Sequence, residues 1–196
     1  YHTPDPLGAD GRPRRLSIAR YARGQDYHEV MKSRLFALLN TLRAHYESAG
    51  GADAEAVFST ARAFTDTAPV DERYWAWRSG LGWIGKNTQL IIPGAGSRFF
   101  LGELFLPFAA DAYDSPVESQ CGTCDRCLRG CPTQALSREL GLDARKCLSY
   151  LSIEYRGETL PEGTGHKLGH MFYGCDRCTD CCPWNRLSVP TDVAEF

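Results

Sequence analysis

The sequence predicts an α+β protein in which a layer of helices and strands precedes a cysteine-rich module. Two observations support this prediction. Between residues 26 and 106, apolar residues at helical spacing alternate with short apolar runs of strand length. All nine cysteines of the 196-residue chain fall between positions 121 and 182. We therefore divide the chain into a first domain over residues 1–112 and a cysteine-rich domain over residues 113–196.

The first 24 residues are rich in proline, glycine and arginine, which predicts an extended loop. Its arginines admit two interpretations. Clustered charge is most often a solvated surface, whereas a nucleic-acid-binding protein would use the same side chains to contact phosphates. The charge pattern alone favours the solvated surface; the arginines concerned are Arg12, Arg14, Arg15, Arg20 and Arg23.

A long helix is predicted over residues 26–49. Apolar residues recur there every three or four positions, as on one face of a helix. Asp26 is the expected N-cap, and Glu29 follows it at the spacing of a capping box. Gly50 and Gly51 are expected to end the helix. We expect its apolar stripe to face the core.

Short elements follow this helix. Residues 56–65 predict a strand that leads into a tight connection containing Asp66 and Pro69. Residues 71–78 predict a helix that Gly80 ends, and residues 82–87 a glycine-punctuated loop. Residues 89–92 and 98–106 predict two strands paired as a hairpin across a turn at 93–96.

The second domain is predicted to begin after a polar linker at residues 111–120. Within it we expect short helices over residues 133–140 and 146–154, the second carrying Cys147. A glycine-rich loop is expected at 158–169, and a tail after Pro183.

The cysteines form two groups, each followed by a proline. The first reads C-x2-C-x2-C-x3-C-P from position 121, and the second reads C-x2-C-x3-C-P from position 175. The first spacing is that of bacterial ferredoxins, in which the last cysteine of a run binds the other of two iron–sulfur clusters. This rule assigns one cluster to Cys121, Cys124, Cys127 and Cys182.

The second cluster is then one ligand short. Cys131, Cys175 and Cys178 remain for it, and either Cys147 or Cys181 completes the set. Cys181 would restore a C-x2-C-x2-C run with Cys175 and Cys178, so spacing alone leans toward Cys181.

Disulfides and zinc are the alternative uses of these cysteines. A secreted disulfide framework fits poorly, because the cysteines are clustered and the first domain has an ample cysteine-free core. Zinc binds C-x2-C pairs, but its sites rarely repeat the x2, x2, x3 spacing followed by proline. We therefore expect a reducing, cytoplasmic compartment.

The composition of the chain restricts the kinds of binding partner that we expect. The formal net charge of −2 gives no global attraction to nucleic acid, so any such contact needs a local basic patch. No apolar run has the length of a membrane span, and no signal peptide is visible. Because the sequence begins with Tyr1 rather than methionine, we expect further sequence before it.

Two residues of the first domain are candidates for a catalytic or binding role. Asp66 follows a predicted strand, where a desolvated carboxyl with a raised pKa would donate a proton. On residues alone, a turn or capping role for Asp66 is the commoner one. Lys86 follows Gly85 and could bind phosphate, but the spacing of a P-loop is absent.

Long motifs of the chain resemble the epoxyqueuosine reductase family. The resemblance covers about residues 20–185, and the motifs that carry it are RYARG at 20–24, DYH at 26–28, DTAPVDER at 66–73, GLGWIGKNT at 80–88, CLSYLSIE at 147–154, YGCD at 173–176 and CPWN at 182–185.

The resemblance implies a fold, cofactors and site residues. The fold would be a cobalamin-binding α/β sheet domain, like that of reductive dehalogenases, followed by a ferredoxin-like module with two [4Fe-4S] clusters. By motif match Asp66 is the proton donor over the cobalamin. Cys147, rather than Cys181, completes the second cluster. Cofactor-binding residues would be Asp66, Arg73, Lys86, Ser149, Ser152 and Asp176.

The implied reaction reduces the epoxide of epoxyqueuosine in a tRNA anticodon loop to queuosine. An external donor such as flavodoxin or ferredoxin supplies the electrons, and we expect a monomer that has no membrane partner. The five arginines named above would then hold tRNA phosphates. Two other functions remain open: a cobalamin-dependent reductive dehalogenase, and a two-cluster electron-transfer protein. The family also has sequence before the start of this chain, and its longer members have a helical-repeat domain after the end.

Overall fold

A computed structural model describes residues 17–139 and 141–196. Its short strands pair two by two: β1 (Ser17–Ile18) with β8 (Met171–Tyr173), β2 (Arg62–Phe64) with β5 (Glu103–Phe105), β3 (Trp83–Ile84) with β4 (Leu90–Ile91), and β6 (Leu136–Ser137) with β7 (Gly141–Leu142). The α-helices are α1 (Tyr27–Ser48), α2 (Ala54–Phe58), α3 (Glu72–Arg78), α4 (Arg126–Gly130), α5 (Leu148–Ile153), α6 (Gly165–Leu168) and α7 (Arg177–Asp180). Short 3-10 helices cover Arg20–Ala22, Ala144–Lys146 and Pro183–Leu187.

The long helix α1 confirms the prediction for residues 26–49. The Asp26 side chain accepts a hydrogen bond from the backbone N–H of His28, as an N-cap does. Gly50 has a φ of 85°, and the N–H of Gly51 bonds to the carbonyl of Tyr46, which closes the helix. The apolar stripe is buried only in part, because Val30 and Leu35 are buried whereas Leu38 is half exposed.

The two strands predicted as a hairpin exist in part but pair elsewhere. β4 pairs antiparallel with β3, and β5 pairs antiparallel with β2, so the hairpin prediction is wrong. The turn after β4 closes on itself through a bridge between Ile92 and Gly96. Burial of Trp83, which is 1% exposed, places β3 rather than β5 against β4.

Two other local predictions also need correction. The first part of the predicted strand at 56–65 is helix α2, capped by Asp53, and the strand is confined to β2. The predicted helix at 133–140 is a turn followed by β6, with Gln134 at a φ of 53°. The backbone N–H of Asp143 bonds to the carbonyl of Ala135, and this contact pairs the chain with β7 instead of continuing a helix.

The helices predicted over 71–78 and 146–154 are confirmed. Asp71 caps α3 through the N–H of Tyr74, and Gly80 follows its end at a φ of 78°. Cys147 stands at the N-terminal cap position of α5, directly after a 3-10 turn. The predicted glycine-rich loop at 158–169 contains α6, and the predicted tail begins with the 3-10 helix that follows Cys182.

The buried core joins residues that lie about a hundred positions apart. Trp83, Ile91 and Cys182 are buried together, and the Trp184 ring packs edge-on against Trp83 at 4.8 Å between centroids. Gly82 makes this packing possible, because a Cβ there would lie 2.1 Å from the Ile91 carbonyl oxygen.

The first and last parts of the described chain also contact each other. β1 pairs parallel with β8, and the backbone N–H of Arg20 bonds to the Asp176 carboxylate at 2.8 Å. Buried Asn185 bonds to Ser97 and to the carbonyl of Thr179. The division at residues 112 and 113 stays a prediction. No helix in the described ranges is long and apolar enough to cross a bilayer.

Candidate active site

Two separate cavities are each lined by four cysteines. One, the first cysteine set, comprises Cys121, Cys124, Cys127 and Cys182. The other, the second cysteine set, lines a cavity of about 260 Å³ and comprises Cys131, Cys147, Cys175 and Cys178. The fold thus brings together residues from α4, α5 and α7 and from the loops before them.

Cys181 lines neither of these cavities. Its side chain lies in an outer depression beside Cys182, and its thiol is 3.6 Å from the carbonyl oxygen of Cys178. Cys147, by contrast, lines the same cavity as Cys131, Cys175 and Cys178. The spacing rule that leaned toward Cys181 therefore disagrees with the positions of the side chains.

The donor set suits iron–sulfur clusters better than the alternatives. All nine cysteines are free thiols, so the disulfide interpretation is wrong. Within the described ranges, no three Cys, His, Asp or Glu side chains are placed to hold one metal ion. A [4Fe-4S] cluster takes one thiolate on each of four irons, so it needs four thiols spread around a cavity. Both cysteine sets have that arrangement.

Burial makes the free thiolates unfavourable. It raises the pKa of Cys127 to about 11, with the neighbouring thiols of Cys181 and Cys121 adding to the effect. It also raises the pKa of Cys178, where Cys175 and Cys147 add repulsion. A thiol whose pKa is raised in this way ionises more readily beside a cation, and iron would supply that charge.

Asn87 separates the two cysteine sets. It lines both cavities, is 2% exposed and donates from Nδ2 to the carbonyl oxygen of Cys178 at 3.4 Å. The neighbouring Lys86 donates from Nζ to the carbonyls of Gly122 and Cys124 at 2.5 and 2.8 Å. Lys86 therefore fixes the first cysteine loop, and its predicted cofactor contact stays a prediction.

Asp66 occupies a constrained position after β2. Its backbone has a φ of 56°, uncommon for a residue other than glycine, and its N–H donates to Glu72 Oε1 at 2.5 Å. Its carboxylate Oδ2 accepts a 2.5 Å hydrogen bond from the Tyr27 hydroxyl. The same oxygen lies 3.1 Å from His28 Nε2. The side chain is 56% exposed, so it is held in place and open to a ligand.

His28 bridges two carboxylates. Its Nδ1 lies 2.7 Å from Asp26 Oδ1, while Nε2 faces Asp66. Burial lowers the pKa of His28, but its hydrogen bonds to Asp26 and Asp66 outweigh burial and raise the pKa overall. Burial and the bond to Asp66 both raise the pKa of the Tyr27 hydroxyl, which keeps it protonated as a donor. Helix α1 begins at these two residues, so its capped end positions both against Asp66.

Two more carboxyls lie behind Asp66. Burial is the main cause of the raised pKa of Glu72. The Glu72 carboxylate accepts a hydrogen bond from the backbone N–H of Asp66. Burial and the charge of Glu72 raise the pKa of Glu103 to about 7. Glu103 Oε2 is buried and has no hydrogen-bond partner in the part of the chain described. Glu103 thus retains a proton at pH values where carboxylic acids are usually ionised.

We expect the Glu103→Gln change to stabilise the protein at high pH only. Between the ordinary pKa of 4.5 and about 7, the folded state holds a proton that the unfolded state releases, so stability falls as pH rises. Allowing for partial solvation, we expect a gain of about 1 kcal/mol at about pH 8 and none at about pH 5. Melting temperatures of the variant and the wild type at both pH values would measure this gain in stability. The control is Glu118→Gln, at an exposed position. Equal gains at both pH values would contradict this account.

The other predicted site residues divide into two groups. Ser149 and Asp176 line the cavity of the second cysteine set. Arg73 donates to the carbonyl of Thr88, which lines the same cavity. Ser152 instead donates to the carbonyl of Leu148 and accepts from the N–H of Gly174, contacts that hold α5 near β8.

Asp66 is linked to this cavity through aromatic rings. Tyr27, which donates to Asp66, packs edge-on against Tyr21 at 6.0 Å, and Tyr21 lines the cavity. The sequence motifs contain Tyr27, His28 and Asn87, but no rule of spacing or periodicity gives them these roles. Only the motif resemblance, in DYH and GLGWIGKNT, could have identified them.

The predicted phosphate-binding arginines are described only in part. Arg12, Arg14 and Arg15 lie outside the described residues. Arg20 Nε lies 3.5 Å from the Asp180 carboxylate, and Arg23 donates to the carbonyl of Ile18. These internal contacts occupy both side chains, and phosphate binding by the group stays a prediction.

Two family models match parts of the chain. Residues 1–67 match the model described as epoxyqueuosine reductase QueG, DUF1730. Residues 120–185 match the model of a 4Fe-4S double cluster binding domain. The chain therefore contains a 4Fe-4S binding domain in the part that carries the cysteines.

Curated relatives match almost the whole chain. An epoxyqueuosine reductase of Xanthomonas campestris is 44% identical over 93% of this chain and 48% of its own length. That of Synechocystis is 42% identical over 100% of this chain and 64% of its own length. The chain thus spans about half to two thirds of the length of these relatives.

Solved structures agree with these matches. An epoxyqueuosine reductase crystallised with an epoxyqueuosine-modified tRNA stem loop has a TM-score of 0.75 and 31% identity. This match covers 93% of our chain and 46% of that one. A selenomethionine-labelled epoxyqueuosine reductase has a TM-score of 0.80 at 31% identity, over 98% and 49% of the two chains. Sequence and structure together show that the chain belongs to the epoxyqueuosine reductase family.

Proposed function

We propose that this protein reduces the epoxide of epoxyqueuosine in the anticodon loop of tRNA to the alkene of queuosine. The reaction consumes two electrons and two protons and releases the epoxide oxygen as water. Relatives of this name at over 40% identity, and a related structure with a modified tRNA stem loop, support the assignment. The chain spans about half to two thirds of the length of those relatives.

The observation that carries the proposal is the link from Asp66 through Tyr27 and Tyr21 to the cavity of the second cysteine set, which shares Asn87 with the cavity of the first. We assign one [4Fe-4S] cluster to the first cysteine set and another to the second, with Cys147 as the fourth ligand of the second. The separate cavities support a count of two, and the description of the matched cluster domain agrees with it. Such clusters supply single electrons.

Cobalamin is the proposed cofactor between the clusters and the substrate, and it would supply the reducing metal at the epoxide. The cavity of the second cysteine set, at about 260 Å³, is smaller than the ~300–1,000 Å³ of typical ligand pockets. This cavity is also assigned to the second cluster, so its other lining residues would contribute one wall of a cobalamin site. Tyr21, Thr88, Ser149 and Asp176 would form that wall beside the cluster.

Asp66 is the proposed proton donor to the epoxide oxygen. An oxygen leaving a C–O bond gains negative charge, and a positioned acid that neutralises it lowers the barrier. The Tyr27 hydroxyl fixes the orientation of the carboxyl. His28, which lies within hydrogen-bond distance of the same carboxylate oxygen, would return a proton to Asp66 for the second protonation. Asp26 would stabilise the protonated imidazole.

The assay that tests the proposal is a single turnover. The chain would be reconstituted anaerobically with iron, sulfide and cobalamin, reduced with dithionite and mixed with tRNA carrying epoxyqueuosine. We expect nucleoside analysis by mass spectrometry to show queuosine, one oxygen atom lighter than the substrate. The same protein without cobalamin is the control and should give none. Assembled clusters with bound cobalamin but no conversion would contradict the proposal.

The same preparation tests the rival functions. Release of halide from small organohalides, with no effect on the tRNA, would indicate a reductive dehalogenase. Iron–sulfur absorption with no corrinoid retained would indicate an electron-transfer protein.

A further inference from the structure

A basic depression lies on the outer side of the first cysteine set. It has a volume of about 430 Å³, and we call it the Arg126 face. Its charged residues are Arg126, Arg129, Arg186 and Asp180, and its thiols are those of Cys181 and Cys182. No role in the proposed reaction has used these arginines.

The charge of the Arg126 face is positive and available. Arg126 and Arg186 are exposed and make no ion pair with any residue in the described ranges. Arg129 is paired with Asp125 at 2.9 Å. The one acid of the face, Asp180, is bound at 2.6 Å by Arg98, which comes from outside the depression. Arg98 neutralises this acid, so the unpaired arginines dominate the local potential.

The Arg126 face shares two residues with the cavity of the first cysteine set. Arg126 and Cys182 line both the outer depression and the inner cavity that holds Cys121, Cys124 and Cys127. Cys182 is 8% exposed, and it lies between the outer depression and the inner cavity. Electron transfer between proteins slows steeply with distance, and a carrier seated here would lie as close to this cluster as the protein wall permits.

We propose that the Arg126 face is the docking surface for an acidic one-electron carrier protein. The inference rests on the proposed function, which needs a source of electrons for the clusters. In each encounter the carrier loses one electron and the cluster of the first cysteine set gains it. Two encounters supply the two electrons of one epoxide reduction. Small, charge-guided contacts are typical of such transient redox complexes.

RNA phosphate is the other anion that such a face could attract. Phosphate contacts need only exposed arginines, whereas this depression places its arginines over a cluster thiol. The position of Cys182 therefore favours a redox partner, and RNA binding becomes an outcome of the test.

The test compares reduction by a protein with reduction by a small molecule. The variant Arg126→Gln with Arg186→Gln removes both unpaired charges. A double variant at Arg145 and Arg156, two exposed arginines elsewhere in the chain, loses the same charge and is the control. Stopped-flow absorption would follow cluster bleaching by reduced flavodoxin at several salt concentrations, and separately by dithionite.

We expect the second-order rate with flavodoxin to fall at least ~10-fold at low salt and its salt dependence to flatten. Because Arg126 also lines the cluster cavity, Arg129→Gln with Arg186→Gln provides a second variant outside that cavity, with an intact iron content as its condition. Dithionite should reduce this second variant at the wild-type rate, and the control variant should keep the wild-type rate with flavodoxin.

Three results would overturn the inference: an unchanged flavodoxin rate in both variants, an equal fall with dithionite, or loss of tRNA binding while the flavodoxin rate is kept. Cluster reduction is measured without tRNA, and the turnover assay uses dithionite. Failure of docking and failure of the proposed reaction are therefore distinguishable.

Discussion

Replacing Cys147 by serine is expected to remove one of the two proposed clusters. Cys147 lines the same cavity as Cys131, Cys175 and Cys178, and the loss of one of four thiolate ligands weakens the retention of a four-iron cluster. We expect the iron content after reconstitution to fall from about eight to about four atoms per chain. Iron and sulfide analysis, with the visible absorption of the clusters, would measure the loss.

Cys181→Ser is the matched control, because Cys181 lies in the outer depression and lines neither cluster cavity. Its iron content should stay at the wild-type value. The opposite pattern, with iron lost in Cys181→Ser and kept in Cys147→Ser, would reverse the assignment. That pattern is the one that cysteine spacing alone leans toward.

Replacing Asp66 by asparagine should abolish most of the turnover. The amide oxygen still accepts the hydrogen bond from Tyr27, but the amide has no acidic proton to give to the epoxide oxygen. We expect the single-turnover rate with dithionite-reduced protein to fall ~10²–10⁴-fold, the usual contribution of a general acid. Iron content and cobalamin binding should remain unchanged.

Asp71→Asn is the control for this change, since Asp71 caps α3 and has no contact with the Tyr27–His28 pair among its described bonds. It should lower stability slightly and keep the rate. Undiminished turnover by the Asp66 variant would remove Asp66 from the chemistry and leave it with a role in shaping the loop.

Local signals in the sequence predicted the helices well and the strand partners poorly. Helices α1 and α3 have their caps and their stopping glycines within the same stretch of chain, so their ends are decided locally. Strands of two or three residues contain too little pattern to choose a partner. The burial of Trp83 against Trp184, a hundred positions away, decides the pairing of β3 with β4.

In the cysteine sets too, local spacing predicts the neighbours within a loop but not a residue from a distant segment. Seven of the cysteines line the two cavities in the groups that spacing predicts, because short C-x2-C loops determine their own geometry. Cluster binding by these groups stays a prediction. The eighth member, Cys147, is brought in by α5 from 28 positions before Cys175, and only the family resemblance indicated it. The contacts of His28 with Asp66 likewise span 38 positions and leave no local signal.

The parallel pairing of β1 with β8 has a consequence for biogenesis. The contact of Arg20 with Asp176 spans 156 positions, and Trp83 packs beside Cys182, so the walls of both cysteine cavities include segments made at very different times during synthesis. Contacts of such long separation close late in folding. Iron–sulfur assembly factors should therefore find both cysteine sets complete only after synthesis has passed Cys182, and the cysteine-rich segment expressed alone should not retain the proposed clusters.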